Sequence, residues 1–405
     1  MKRFEFLRFL SATMITTALA AMVHAQTLAP DDFLLVSDYD TNRVKRYNAA
    51  TGAFVDDFVP KLSGGLNQPQ GLVFGPRDHH LYVASGELSG SAQRRGVLRF
   101  DGTNGEFLGT FADGEHLGGP HAVIFGPDGH LYVADGLGSE GQVVRYDGTT
   151  GAFIDEFVPP NSDGLARPFA LVFGPSGRGP RNLDLYVVSR LTNSVKRYDG
   201  TTGDYLGDFV ASGSGGLDAP IGLTFGPDGN LFVSAGFVAA PSAVFRFQGP
   251  SGSTPGAPLP SAGNNGAVFV PSGSGDLLTT FGLIFGPDGN GDGQQDLYLP
   301  SFKLAGSNKA DHRFSTIKRY DGVTGTFIDT FVTANSGGLD QPNYLTFTHT
   351  DPVTLQYLDS PASSAAAAVP EPSCLLLAAG LGAAAGAMGS RRRRRDIFFA
   401  VRQGS

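Results

Sequence analysis

Two groups of residues in this 405-residue chain have the types and spacing to support chemistry. The first is Asp288-Gly-Asn-Gly-Asp-Gly-Gln-Gln-Asp296, which sets Asp288, Asn290, Asp292 and Asp296 at positions 1, 3, 5 and 9, with Gly293 at position 6. Oxygen side chains at alternate positions around a tight glycine turn are how a loop wraps a calcium ion. Position 12 is Leu299, not the bidentate glutamate of a helix-flanked loop, and Asp296 has a counterpart, Asp184, behind a loop without ligands. A calcium site and a plain acidic turn therefore both stand as readings. The second group is Gln70, His121 and Asn343, each of which opens a short apolar stretch at an equivalent place in the chain. One imidazole and two amides could hold a polar ligand, or simply pack and bind water. They supply no carboxylate base, and no Gly-x-Ser-x-Gly, His-Glu-x-x-His or phosphate-loop motif occurs.

Position in this chain is set by repetition. Ala122-Val-Ile-Phe-Gly-Pro-Asp-Gly-His-Leu-Tyr-Val-Ala-Asp135 reads as two strands around a turn. Pro presets φ, Asp bonds back to the backbone, and Gly accepts positive φ. The phenylalanine closing the first strand recurs at Phe74, Phe125, Phe173, Phe225, Phe285 and Phe347, at spacings of 51, 48, 52, 60 and 62 residues. Each hairpin is followed by two more strands of alternating polarity, as in Val143–Asp147 and Ala152–Phe157, joined by Asp-Gly-Thr-Thr-Gly turns. Four strands at a period near 50 make one propeller blade.

The chain enters this pattern at a second strand, Leu34–Asp38, and leaves it at a lone first strand, Tyr344–Phe347. Joined, the two fragments complete a sixth blade and leave no open sheet edge. The expectation is an all-β, six-bladed β-propeller of four-stranded antiparallel blades over residues 26–351, closed by pairing N-terminal strands with a C-terminal strand. Blade 5 carries a Gly/Pro/Ser-rich insertion, Gly249–Gly266, read as a surface loop, and blade 6 an insertion, Phe302–Ser315. In this ring the six strand openers, Gln70, His121, Phe169, Ile221, Phe281 and Asn343, face the central channel, with Asp38, Asp135 and Asp340 at nearby loop ends. Six third-strand arginines, Arg46, Arg99, Arg145, Arg197, Arg246 and Arg319, share one place. That symmetry predicts a structural role, paired with carboxylates or backbone carbonyls.

The two ends differ from the body. Residues 1–25 have a basic start, an apolar run from Phe9 to Val23, and small residues before Gln26, the pattern of a cleaved secretory signal. Residues 352–368 read as a flexible linker. The uncharged run Pro372–Ser390 would span roughly 28 Å as a helix, near the thickness of a bilayer core. Arg391, Arg392, Arg393, Arg394 and Arg395 would hold its end on the cytoplasmic side. The one cysteine, Cys374, lies in this run, so the ring has no disulfide. Net charge is −8, but residues 1–25 carry +2 and residues 391–405 carry +5, which puts the body at −15. That balance argues against nucleic acid and anionic membrane surfaces as partners.

Two resemblances follow. Val369-Pro-Glu-Pro372, a short apolar helix and an arginine cluster over residues 369–395 resemble the PEP-CTERM sorting signal of Gram-negative bacteria. The tail, 396–405, is longer than usual. The resemblance implies an exosortase-type protease as partner, acting at Pro370, Glu371 and Pro372, a transient inner-membrane anchor, and final placement at the cell surface or outside the cell. The Gly-Pro-Asp-Gly-x-Leu-Tyr-Val-Ala-Asp hairpin, best at Gly126–Asp135 and good at Gly226–Ser234, makes residues 34–348 resemble NHL-type repeats. That likeness implies fold, not function, and gluconolactonase-like rings share the fold while needing a channel metal held by acidic and amide groups. The expectation is a non-enzymatic binding or scaffold protein that meets extracellular polysaccharide or surface proteins, with no cofactor beyond possible calcium. The alternative is a metal-dependent lactonase or hydrolase.

Overall fold

The computed structural model describes residues 32–86, 95–136, 140–179, 182–236, 242–305 and 309–348. The signal-like segment, the linker and the sorting-signal residues lie outside this range. Among the described residues no helix is long and apolar enough to cross a membrane.

The strands group by sequence into blades. Blade 1 starts with β1 (Phe33–Asp38), β2 (Arg43–Asn48) and β3 (Phe54–Val59). Blade 2 is β4 (Leu72–Phe74), β5 (Leu81–Ser85), β6 (Gly96–Phe100) and β7 (Phe107–Asp113). Blade 3 is β8 (Pro120–Phe125), β9 (Leu131–Asp135), β10 (Gln142–Tyr146) and β11 (Phe153–Val158). Blade 4 is β12 (Leu171–Pro175), β13 (Leu183–Ser189), β14 (Ser194–Asp199) and β15 (Tyr205–Val210). Blade 5 is β16 (Pro220–Phe225), β17 (Leu231–Ala235), β18 (Ala243–Phe247) and β19 (Val268–Val270). Blade 6 is β20 (Ile284–Gly286), β21 (Asp296–Ser301), β24 (Thr316–Tyr320) and β25 (Phe327–Val332). The small hairpin β22 (Leu304–Ala305) and β23 (Lys309–Ala310) occupies the blade 6 insertion. The last strand, β26 (Pro342–Phe347), returns to blade 1.

Ring closure matches the sequence expectation. β26 pairs antiparallel with β1 through Leu34↔Phe347, Leu35↔Thr346 and Val36↔Leu345, and the register shifts before Asp38↔Pro342. Beyond the pair, the Thr348 amide donates to the Phe33 carbonyl at 2.9 Å and the Phe33 amide to the Thr348 hydroxyl at 2.7 Å. The seam is ordinary antiparallel sheet with both strands satisfied.

Blades are joined by an aromatic chain. Tyr132 on β9 meets Phe157 of its own blade at 5.0 Å and Phe173 of the next at 4.9 Å, both edge to face. Tyr82, Tyr186, Phe232 and Tyr298 repeat the arrangement, the last on Phe331 and Phe347. The phenylalanines that mark the sequence period are thus the groups each blade lends to its predecessor. Blade 1 has Leu35 at this place. Such pairs add to area burial because the positive edge of one ring meets the negative face of another.

Short 3₁₀ turns precede the first strands, and these were not anticipated from the sequence. Five share a Ser-x-x-Leu pattern, as Ser63–Leu66 and Ser336–Leu339 do, and their leucines are buried. At Gly64, Gly275 and Gly337 the neighbouring blade's Phe107, Phe327 or Phe54 ring lies where a Cβ would be, 2.1 Å away, and φ is near +60°. Only glycine satisfies both conditions.

Candidate functional site

The six openers are all buried, and Gln70 meets Asn343 while the His121, Phe169 and Phe281 rings meet in sequence. The innermost strands touch. The Gly71 amide donates to the His121 carbonyl and the Gly282 amide to the Asn343 carbonyl, each at 2.8 Å. The residue after five of the six openers is accordingly small: Gly71, Ala122, Ala170, Gly222 and Gly282. A Cβ on Gly71 would lie 2.7 Å from the Ala122 Cα.

Blade 1 breaks that rule with Tyr344. Its hydroxyl donates to the Phe169 carbonyl at 2.7 Å, joining blade 1 to blade 4, the blade opposite in a ring of six. Around this bond His121 stacks on Phe169 with ring centres 4.0 Å apart and planes 18° from parallel. Phe169 meets Phe281 edge-on at 6.0 Å. The Asn343 amide donates to the Gln70 amide oxygen at 3.0 Å, and the Gln341 amide lies 3.4 Å from the Asn343 oxygen. His121 Nε2 lies 3.3 Å from the Gly136 carbonyl. So Gln70 and Asn343 meet each other, His121 meets Phe169 and the Gly136 carbonyl, and all three are engaged with protein groups. Tyr344 was missed, although five small residues and one tyrosine at one repeat position is a signal visible in the sequence.

The loop-end acids near the axis hold backbone. Asp38 accepts from the Gln341 and Asp340 amides at 3.0 and 3.3 Å. Asp135 accepts from Gly119 and Gly118 at 2.6 and 3.0 Å and from the Gln142 side chain at 2.9 Å. Ser85, Ser189 and Ser301 do the same for their blades. This position is a latch on the loop entering the first strand. Burial pushes the Asp38 carboxyl up to about 6, against the Gln341 amide and the Lys45 ammonium 3.8 Å away, which favour the charged form.

In the acidic loop, the Asp288 carboxylate accepts from the Asn290, Gly291 and Gly293 amides at 3.1, 2.6 and 2.7 Å. Asp292 accepts from Gln294 at 2.8 Å, and the Asn290 side chain turns outward to Asp321 at 2.7 Å. Asp296 accepts from the Gly289 amide at 2.7 Å, and burial raises its carboxyl to about 6. Among the described residues no three acidic, histidine or cysteine side chains converge on one point as a metal's ligands would. In blade 4 the counterpart Asp184 is held by Arg178 and Arg197.

Five of the six third-strand arginines are paired as expected. Arg46, Arg145 and Arg319 fork onto fourth-strand Asp56, Asp155 and Asp329, with Nε distances of 3.0, 3.0 and 3.2 Å. Arg197 takes Asp184, and Arg246 takes the Leu259 and Pro260 carbonyls supplied by the blade 5 insertion. Arg99 departs: opposite it stands Gly109, and its buried Nε meets no acceptor.

No protein-family model and no curated protein matches this chain. Solved structures do. A chain of a nidogen/laminin complex is 16% identical, covering 78% of this chain and 98% of its own, with a TM-score of 0.50. A protein of unknown function from Bacteroides caccae is 15% identical, covering 80% and 100%, with a TM-score of 0.51. A candidate gluconolactonase is 20% identical over 71% and 84%, with a TM-score of 0.45. The first two likenesses show the fold alone, and the third is too distant to carry an argument.

Proposed function

We propose that this ring is an exported binding module that associates with extracellular polysaccharide and catalyses no reaction at its axis. The observation that carries the reading is the axial closure. The hydrogen bond from Tyr344 to Phe169 and the stack of His121 on Phe169 fill the place where a ring of blades gathers side chains into a reaction centre. The two axial amides answer each other. Recognition is then left to the grooves between blades. Export and processing at Pro370-Glu371-Pro372, with an exosortase-type protease as partner and release of the anchor, belong to the same proposal and rest on the C-terminal pattern.

A metal-assisted lactone hydrolase remains the second reading. The observation favouring it is the grouping of His121, Gln70 and Asn343 within one buried layer, which brings one nitrogen and two amide oxygens to the axis. Against it, metal-assisted hydrolysis needs several ligands and a base for the attacking water, and the nearby Asp38 and Asp135 are taken up by backbone amides.

The test is co-sedimentation of the purified full chain with acidic and neutral extracellular polysaccharides. Retention on at least one of them, at matched salt, is expected. No retention on any would remove the binding reading.

A further inference from the structure

The six-fold repeat is its own control, and blade 2 departs from it twice in one place. First, Arg99 lacks the fourth-strand carboxylate of Arg46, Arg145 and Arg319, and nothing replaces it, whereas Arg197, which faces Gly207, takes Asp184 and Arg246 takes backbone carbonyls. Register pairs Arg99 with Gly109 where Arg46, Arg145 and Arg319 face Asp56, Asp155 and Asp329. A Cβ on Gly109 would meet nothing within 4 Å, so the place is open rather than refilled. Arg99 still lies over the Phe111 ring at 5.7 Å, as Arg145 lies over Phe157 at 4.9 Å, so its stem is held in the repeat's usual place. Its buried Nε is without an acceptor. Second, the hairpin turn of blade 2 is one residue longer than those of blades 3 and 5. Phe74 to Leu81 spans seven steps where Phe125 to Leu131 spans six, and the turn reads Gly-Pro-Arg-Asp-His-His against Gly-Pro-Asp-Gly-His. Asp78 keeps the role of Asp128, accepting the hydroxyl of Tyr82 at 2.8 Å as Asp128 accepts that of Tyr132 at 2.9 Å. The extra residue is Arg77, whose guanidinium crosses to blade 3 and lies 3.4 Å from the Thr149 hydroxyl.

Arg99 and Arg77 both border one cavity of about 340 Å³ between blades 2 and 3. Arg77, Asp78, His80 and Arg99 line it together with Tyr82 and Thr149. Compared with blade 3, blade 2 has one carboxylate fewer opposite its third-strand arginine and one arginine more in its hairpin turn, on a body whose charge is otherwise strongly negative. The guanidinium groups of Arg77 and Arg99, which line the cavity, carry planar N–H pairs of the kind that recognise a carboxylate in two-point fashion. The volume lies near the lower end for small-molecule sites, about 300–1,000 Å³, which suits one sugar-sized ring and not a folded segment of another protein. Asp78, His80 and Thr149 offer partners for hydroxyl groups, and Tyr82 and Phe125 offer an apolar wall.

We infer that this groove is a binding site for a uronic-acid unit, its carboxylate on the Arg99 and Arg77 guanidinium groups that line the cavity and its hydroxyls toward Asp78, His80 and Thr149. The inference rests on the proposed polysaccharide-binding function and gives it a location and a ligand class.

The experiment is isothermal titration of the full chain with D-glucuronate and D-galacturonate, beside D-glucose, succinate and inorganic phosphate. Saturable binding of a uronate is expected, with glucose and succinate each at least about tenfold weaker, because each lacks one of the two features recognised. Arg99→Gln should weaken uronate binding by about tenfold or more, and Arg99→Lys, which keeps the charge but loses the fork, should weaken it too. Arg77→Ala should weaken it less, and Arg145→Gln, one blade away, should leave it unchanged. Because Arg99 holds no carboxylate, Arg99→Gln should melt within about 2 °C of the parent, and thermal melts check that each variant is folded. Equal binding of glucose, tighter binding of phosphate, or unchanged uronate binding in Arg99→Gln overturns the site. If polysaccharide retention persists undiminished in Arg99→Gln, the site fails and the broader function stands. If uronate binds but no polysaccharide is retained, the site stands and the broader function fails.

Discussion

The Tyr344 hydroxyl donates to the Phe169 carbonyl at 2.7 Å, and this one bond ties two opposite blades of the ring together across its axis. Both groups are buried. Tyr344→Phe keeps the ring and its packing but leaves that carbonyl without its donor. A loss of about 1–2 kcal/mol in unfolding free energy is expected, read by denaturant melts. A loss below about 0.3 kcal/mol would mean that the axis is not held by this bond.

The ring seam carries a pH dependence. Asp38 latches the loop that leads into β26, and burial raises its carboxyl to about 6. The folded ring therefore holds this proton more tightly than the unfolded chain, whose value is near 3.9. The resulting stabilisation is complete below about pH 3.9 and is lost as pH rises through about 6. Asp38→Asn removes that titration. Its melting temperature relative to the parent should improve from pH 4 to pH 7, by the equivalent of about 1–3 kcal/mol. A constant difference between the two proteins over that range would contradict this account. Asp296 titrates in the same direction, so the parent's slope should shrink rather than vanish.

The aromatic chain should carry much of the coupling between blades. Tyr132→Leu deletes two edge-to-face contacts and the hydroxyl bond to Asp128. Leu35 fills the same place in blade 1, so the variant should still fold. A destabilisation of about 2–4 kcal/mol is expected in equilibrium unfolding. An effect below about 0.5 kcal/mol would show that the blades couple by other means.

The C-terminal proposal has its own test. In a host with an exosortase, mass spectrometry of the exported protein should find chains ending near Pro370-Glu371-Pro372. Exported protein that still carries Arg391–Arg395 would count against processing there.

The architecture was legible because its determinants are local and repeated. Turn residues, strand alternation and the period-marking phenylalanines each recur with every blade, and the two incomplete end fragments could only complete one another. The six arginines were legible as structural for the same reason. The interactions that break symmetry were harder to see. Tyr344 matters because of a carbonyl 175 residues away, which no local pattern encodes. Arg99 shares its place with five counterparts, and Gly109 stands opposite it as Gly207 stands opposite Arg197, but Arg197 finds Asp184 from its hairpin side while Arg99 Nε finds no substitute, a difference that strand alignment does not encode. The acidic loop has calcium-like spacing, and Asp288 also accepts from the loop's own amides, contacts that composition does not reveal.

The central claim is that the axis binds itself and catalyses nothing. A hydrolysis screen of the purified full chain against lactones and simple esters, with and without calcium or zinc, tests it most directly. Rates no higher than the buffer blank are expected under every condition, for the parent and for His121→Ala alike. Metal-dependent turnover that His121→Ala abolishes would contradict it and establish the axis as a reaction centre.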